Sequence, residues 1–226
     1  MKVYFYGDSF TSGYRLTHGF LDCYPQQKFR HWTAFLNEHI TGVEEEGTNY
    51  ALSGNCNEQI LLKLSQTFTQ LKAGDYVIIG LSDPARQITF TDKDIIPLFG
   101  NEKETLSQTV KNVMKEIDGL DVDVAKYTLL YSTLVKSPQR SFFNHYYVRV
   151  FKMFVKLLRD KDINAVVWDW DLWEFFETIS KATNGECQEF HWSYKGSWDF
   201  YEFIKNNIHK EYLNKDSYLE YILNKR

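Results

Sequence analysis

The chain alternates short apolar runs with longer segments in which apolar residues recur at helical spacing. Three runs are almost wholly apolar or aromatic, at Val3–Tyr6, Asp75–Gly80 and Ile163–Trp168. Such runs predict strands that are covered on both faces. A further strand is best placed at Thr48–Leu52, just before a glycine turn.

Apolar residues three and four positions apart predict amphipathic helices between these strands. A helix is expected around Ile60–Leu71, with Asn55 as its cap and Gly74 after its end. The aromatic stripe between 141 and 160 is interpreted as a core-facing surface. The other expected helices span about 28–40, 105–118, 123–135, 141–160, 172–181, 197–208 and 215–224, with loops at 14–27, 85–104 and 183–190.

Strands that alternate with helices predict an α/β fold with a mostly parallel sheet covered on both faces. The chain contains no internal repeat, no low-complexity tract and no linker. Its 226 residues are therefore expected to form a single domain, 1–226. In a parallel sheet the carboxyl ends of all strands lie at one edge, so the loops that follow them converge there.

Composition narrows the classes of function. The net charge of −4 gives no electrostatic basis for binding nucleic acid or an anionic membrane. No apolar stretch is long enough to span a bilayer, and no signal peptide is recognised at the start. Cys23, Cys56 and Cys187 are odd in number and widely spaced, which argues against a disulfide framework and a zinc site. We expect reduced thiols and no cofactor or metal.

Polar residues follow the predicted strands where their loops converge. Ser9 comes just after the first strand, Ser53 and Gly54 after the second and Ser82 after the third, while His191 lies beyond the last. One edge of the sheet can thus hold a serine, a histidine and exposed backbone N–H groups. These are the components of an acyl-transfer site.

Four segments, in the same order, resemble the sequence blocks of the SGNH (GDSL-type) hydrolases. Gly7–Gly13 (Gly-Asp-Ser-Phe-Thr-Ser-Gly) matches the first block, with Phe for the usual Leu or Ile. Asn49–Asn55 resembles the second block, Gly80–Asp83 the third, and His191–Gly196 the last. The resemblance implies a flavodoxin-like three-layer α/β/α sandwich and a serine esterase activity.

The same resemblance implies a role for each matched residue. Ser9 would be the nucleophile, and His191 would accept its proton and pass it to the leaving alcohol. The backbone N–H groups of Ser9 and Gly54 would bind the oxyanion, with the Ser82 hydroxyl as a candidate third donor. Asp8 is expected to brace the turn rather than to react.

This sequence departs from the family pattern at two of these positions. The third block normally contains Asn where this chain has Ser82, and the family's Asp before the histidine is replaced by Gln188 and Glu189. Glu189 is the nearest carboxylate that could orient His191. The other candidate acceptors for the His191 ring are a backbone carbonyl, water or one of Glu186, Asp169 and Asp171.

The stretch from 84 to 162 is longer than a minimal family member has between its third and fourth strands. We expect an extended helical insertion at about 85–160 that forms a lid, a wall of the substrate groove or an interaction surface.

The leading hypothesis for function is an ester hydrolase that removes short acyl groups, such as acetyl, from a carbohydrate or a small lipid. The substituted positions and the aromatic content of 17% also suit a catalytically impaired relative that binds a glycan or a protein. A flavodoxin-like nucleotide binder fits poorly, since the first loop lacks a Gly-Lys-Ser/Thr signature. A cytoplasmic or virion-associated location is expected, because proteins of this pattern also occur in phage particles. The oligomeric state stays open.

Overall fold

A computed structural model describes the parts of the chain that form a parallel sheet and the helices packed on it. The residues that it describes are 1–12, 31–44, 47–52, 55–84, 87–90, 95–98, 139–184 and 194–225.

The described residues form a five-stranded sheet in which all neighbouring strands are parallel. Its strands are β1 (Val3–Tyr6), β2 (Thr48–Asn49), β3 (Tyr76–Gly80), β6 (Asn164–Trp168) and β7 (Tyr212–Leu213). The strand order is β2-β1-β3-β6-β7, so β1, β3 and β6 each lie between two neighbours. The predicted apolar strands β1, β3 and β6 are confirmed, each to within one residue.

The described helices follow the strands in the alternating order that the sequence predicts. They are α1 (Ser9–Ser12), α2 (Trp32–Thr41), α3 (Asn57–Thr67), α4 (Gln139–Arg159), α5 (Trp170–Asn184), α6 (Tyr194–Asn207) and α7 (Lys215–Asn224), with a 3-10 turn at Phe68–Gln70. None of these helices is both long enough and apolar enough to cross a membrane.

Each face of the sheet carries its own buried cluster, because alternate strand residues point to opposite sides. Val3, Phe5 and Ile78 face one cluster, which includes apolar residues of α2, α5, α6 and α7. Tyr4 and Val77 face the other, which includes apolar residues of α3 and α4. The fold is therefore α/β, with a parallel sheet covered by helices on both sides, as expected.

The aromatic stripe of α4 only partly forms a core face. Tyr147 and Phe151 are buried against the sheet, as the sequence predicts. Phe142 and Tyr146 instead lie on the exposed side of the helix. A run of aromatic residues on successive positions cannot all occupy one face of a helix, since neighbours along the chain are about 100° apart.

The prediction of a loop over 85–104 is wrong for two segments. β4 (Gln87–Phe90) and β5 (Ile95–Leu98) pair antiparallel as a separate two-stranded sheet. The prediction gave Pro97 too much weight, although proline is tolerated in a strand with a free edge. These two segments are therefore paired strands, while α4 confirms the helix predicted at 141–160. The predicted helices at 105–118 and 123–135 lie outside the described residues.

Some element boundaries also differ from prediction. β2 covers only Thr48–Asn49 of the expected Thr48–Leu52, and the short edge strand β7 was not foreseen. Cys56, rather than Asn55, occupies the cap position of α3. The side chain of Asn55 has a long-range partner instead, the carbonyl of Gly7. A capping preference from sequence does not reveal such a competing partner.

Candidate functional site

The first and third sequence blocks leave the sheet side by side. β1 and β3 are adjacent and parallel, and Tyr6 is paired with Ile79 at their carboxyl ends. Gly7 and Asp8 therefore emerge beside the segment that follows Gly80. Ser9 is the first residue of α1, the single helical turn that begins directly after this exit.

Two glycines allow that helical turn to pack against the strand ends. A Cβ atom on Gly7 would lie 2.3 Å from Thr11 Oγ1, and one on Gly80 would lie 2.3 Å from Trp168 Cζ2 and 2.9 Å from Thr11 Oγ1. Atoms this close would overlap, so a larger residue at either position would push α1 away from the sheet. The glycines of the first and third blocks therefore set the position of the turn that begins with Ser9.

Asp8 braces the turn, as expected. Its side chain is buried, with 3% exposure. Oδ1 accepts a hydrogen bond from the backbone N–H of Phe10 at 3.1 Å, and Oδ2 accepts one from the Ser82 hydroxyl at 3.3 Å. This carboxyl group thus joins the first block to the third across neighbouring strands.

Ser82 is fully buried, and a residue that the sequence did not single out holds its backbone. Ser82 donates its N–H to Asn57 Oδ1 at 2.8 Å, and Asn57 Nδ2 donates to the Ser82 carbonyl at 3.0 Å. This reciprocal pair of bonds fixes the third block to the start of α3. If Ser82 is to serve as an oxyanion donor, its hydroxyl must turn away from Asp8.

The second block is tied to the first through two asparagine side chains. Asn55 Nδ2 donates to the Gly7 carbonyl at 3.0 Å. Asn49 Nδ2 donates to the Thr11 carbonyl at 2.9 Å, while its Oδ1 accepts from the N–H of Ala51 at 3.0 Å. Three of the four sequence blocks are therefore joined around the turn that carries Ser9.

The remaining predicted site residues lie outside the described part of the chain. These are Gly54, Glu189 and His191. Two carboxylates that the sequence offered as rivals to Glu189 are described, and both follow β6. Asp169 is buried and accepts hydrogen bonds from the Tyr212 hydroxyl and the backbone N–H of Leu172. Asp171 is exposed and accepts one from Asn144.

Cys56 is a free, buried thiol near the second block. Burial is the main cause that raises its pKa to about 12, so the thiol stays protonated at neutral pH. Because the thiolate is the reactive form, Cys56 is not suited to act as a nucleophile. Cys23 and Cys187 lie outside the described residues. Among the described side chains, no group of three or more His, Cys, Asp or Glu residues is placed to hold a metal ion.

No protein-family model and no curated protein sequence matches this chain.

Proposed function

We propose that the protein is a serine ester hydrolase that resembles the SGNH family, with Ser9 as its nucleophile. The observation that carries this proposal is the set of hydrogen bonds around the Gly7-Asp8-Ser9 turn. Ser82 donates to Asp8 and Asn55 donates to the carbonyl of Gly7, so both partner blocks meet the first block at the carboxyl edge of the sheet. Open parallel sheets form their ligand sites at this edge.

In the proposed reaction the Ser9 oxygen attacks the ester carbonyl while its proton passes to His191. The protonated imidazole then gives this proton to the leaving alcohol, and an acyl group remains on Ser9. Water, deprotonated by His191, next attacks the acyl-enzyme. This step releases a carboxylic acid and restores the Ser9 hydroxyl.

The negative charge that develops on the carbonyl oxygen requires hydrogen-bond donors. We assign this role to the backbone N–H groups of Ser9 and Gly54, with the Ser82 hydroxyl as a third candidate. His191 also needs an acceptor for its second ring nitrogen, so that the basic nitrogen faces Ser9. Glu189 is our first choice for this acceptor. Asp169 is the weaker rival, because Tyr212 and Leu172 already donate to its two oxygens.

The substrate class that we propose is a short acyl ester, such as an acetyl ester, of a carbohydrate or small lipid. One observation favours a second candidate function, a relative that has lost catalysis and binds a glycan or protein. The residue at the third-block Asn position is Ser82, and its hydroxyl is directed at Asp8 rather than kept for an oxyanion.

Ser9 can be tested directly with a fluorophosphonate probe and a short-chain activated ester. We expect one adduct on the protein, mapped by mass spectrometry to the peptide that contains Ser9. Ser9→Ala should abolish labelling and lower kcat/KM by about a thousandfold or more, because a missing nucleophile removes the acyl-enzyme route.

Ser65→Ala is the matched control. Ser65 lies on the exposed side of α3, where its hydroxyl donates to the Leu62 carbonyl, so labelling and rate should stay at the parent values. Equal ester hydrolysis by the parent and by Ser9→Ala would refute the esterase assignment. A folded parent protein that neither reacts with the probe nor cleaves the ester would favour the binding function.

A further inference from the structure

A second site-like feature lies at the same edge of the sheet, beyond the proposed esterase residues. A cavity of about 180 Å³ opens where β6 and β7 end and the first half of α4 crosses them. Strands are spaced about 4.8 Å apart, so the cavity is on the order of 12 Å from the end of β1. It is therefore a neighbour of the Ser9 turn and not part of it.

The cavity wall offers both hydrogen-bond acceptors and donors. Asp169 and Asp171 supply carboxylate oxygens, while Asn144 and Asn214 supply carboxamide groups. Lys215 adds an ammonium group on the same wall. A ligand that suits this wall must both donate and accept hydrogen bonds at several points.

The most buried of these groups is held in a fixed position. Asp169 is 4% exposed, and its two oxygens accept bonds from the Tyr212 hydroxyl and the Leu172 N–H. These bonds fix the direction of the carboxylate at the cavity wall. Asp171 is oriented in turn by Asn144, which donates to its Oδ2 at 3.2 Å. Groups held in advance bind a ligand at a lower cost in entropy.

The charge and size of the cavity decide which chemistry suits it. Two carboxylates oppose an anion such as phosphate, and the Lys215 ammonium offsets one of their charges, so an organic cation gains less from them. Val148 is the single aliphatic residue among those that line the cavity, so a purely apolar ligand would leave most of the polar side chains there without a partner. A cavity of about 150 Å³ can hold benzene, so the volume of about 180 Å³ suits one small ring.

From this combination we propose that the cavity at the ends of β6 and β7 binds a single neutral sugar ring through its hydroxyl groups. Recognition relies on hydrogen bonds more than on stacking, because Lys152 Nζ lies 4.8 Å from the centre of the Tyr212 ring and covers one of its faces. The inference does not depend on Ser9 being a nucleophile. If both proposals hold, the ester substrate is a glycan whose sugar unit occupies this cavity.

The test is a titration of the 226-residue Ser9→Ala protein with methyl glucoside, methyl galactoside and methyl N-acetylglucosaminide, in which binding is measured from amide NMR shifts. We expect at least one sugar to shift the amides of Asn144, Asp171 and Asn214 with a dissociation constant on the order of 1 mM, typical of so small a ligand. Asp171→Asn should weaken this binding about tenfold or more, since it removes a charged acceptor.

Asp160→Asn is the matched control, because Asp160 is an exposed carboxylate after the far end of α4 and should leave the affinity unchanged. Inorganic phosphate and n-butylamine test whether the cavity prefers an anion or a cation to a neutral sugar. The proposal is overturned if no sugar shifts the cavity amides up to its solubility limit, or if phosphate or butylamine binds there more tightly than every sugar. Sugar binding without esterase activity in the parent would refute the proposed function and leave this inference standing.

Discussion

The Ser82 hydroxyl has two candidate roles, support of Asp8 and donation to the oxyanion, and they predict different results. Ser82 is fully buried and its hydroxyl donates to Asp8 Oδ2. A buried hydrogen bond to a charged group contributes about 1.5–3 kcal/mol, so Ser82→Ala should lower the free energy of unfolding by roughly that amount. Urea denaturation of Ser82→Ala, Asp8→Asn and the double variant measures the contribution of this hydrogen bond. We expect the double variant to lose less stability than the sum of the two single losses, because both substitutions remove the same bond.

Additive effects of the two substitutions would contradict the support role. Ser65→Ala again serves as the control, with an expected change within about 0.5 kcal/mol for an exposed site. The kcat of Ser82→Ala tests the second role. A fall in kcat by roughly one to three orders of magnitude at constant KM would show that the Ser82 hydroxyl also donates to the oxyanion.

Asp169 and Tyr212 give a prediction about pH. Burial is the main cause that raises the pKa of Asp169 above its ordinary value, and the Tyr212 hydroxyl counteracts this by donating to the carboxylate. Tyr212→Phe should therefore raise the pKa of Asp169 further, which carboxyl NMR titration can measure. A pKa that is higher in the folded state costs stability progressively as pH rises from the unfolded pKa, and in full above the folded pKa. The loss caused by Tyr212→Phe should therefore be larger at neutral pH than below the unfolded pKa of Asp169.

Tyr218→Phe is the control, because Tyr218 is a buried tyrosine of α7, whereas the side-chain oxygens of Asp169 accept from Tyr212 and Leu172. A pKa of Asp169 that is unchanged or lowered in Tyr212→Phe would contradict the assigned hydrogen bond.

At the level of single residues, the sequence drew attention to Asp8 and Ser82 but not to Asn57 or Tyr212. A strand that ends in Gly-Asp-Ser can be recognised locally, and bracing of the turn by Asp8 is a local contact. Asn57 lies 25 residues from Ser82, and an asparagine in the first turn of a helix is too common to be noticed in the sequence. Tyr212 and Asp169 are 43 residues apart and meet only because β6 and β7 are neighbours.

Among the elements, the end of α4 is held by one side chain. The guanidinium group of Arg159 donates to the carbonyls of Ala165, Ile208, His209 and Lys210 at 2.8–3.3 Å. A lysine ammonium cannot match this planar set of donors. Arg159→Lys should therefore lower the free energy of unfolding by about 1–3 kcal/mol, read from the midpoint of urea denaturation.

Arg149→Lys provides a comparison within the same helix. Arg149 is exposed, so its replacement should change stability by less than about 0.5 kcal/mol. Equal midpoints for the two variants would mean that the four carbonyl contacts do not contribute to stability.

The elements that the sequence predicted well are those with strong periodicity. β1, β3 and β6 are nearly all apolar, and α7 was predicted with the bounds that the structure shows. The sequence did not predict β4 and β5, because each is a four-residue strand that is stabilised mainly by pairing with the other. β7 has two residues, too few to show any period.

For the whole molecule, the alternation of strands and helices predicted the architecture and the shared edge of the sheet. It could not predict which loops meet there, because this depends on strand order. With the order β2-β1-β3-β6-β7, the Ser9 turn stands next to Ser82, and the cavity bordered by Asp169 and Tyr212 stands one strand further along. Proposed catalysis and proposed sugar binding can therefore share one continuous rim.

The two border strands of this sheet are its shortest, since β2 and β7 contain two residues each. An edge strand presents unpaired backbone N–H and C=O groups to which a strand of another molecule can pair. Long, flat edge strands therefore promote aggregation. Borders of two residues leave few such groups, while the long apolar strands β1, β3 and β6 are enclosed between neighbours. Along this sheet, the protein is thus protected from joining copies of itself edge to edge while it keeps an almost entirely apolar centre.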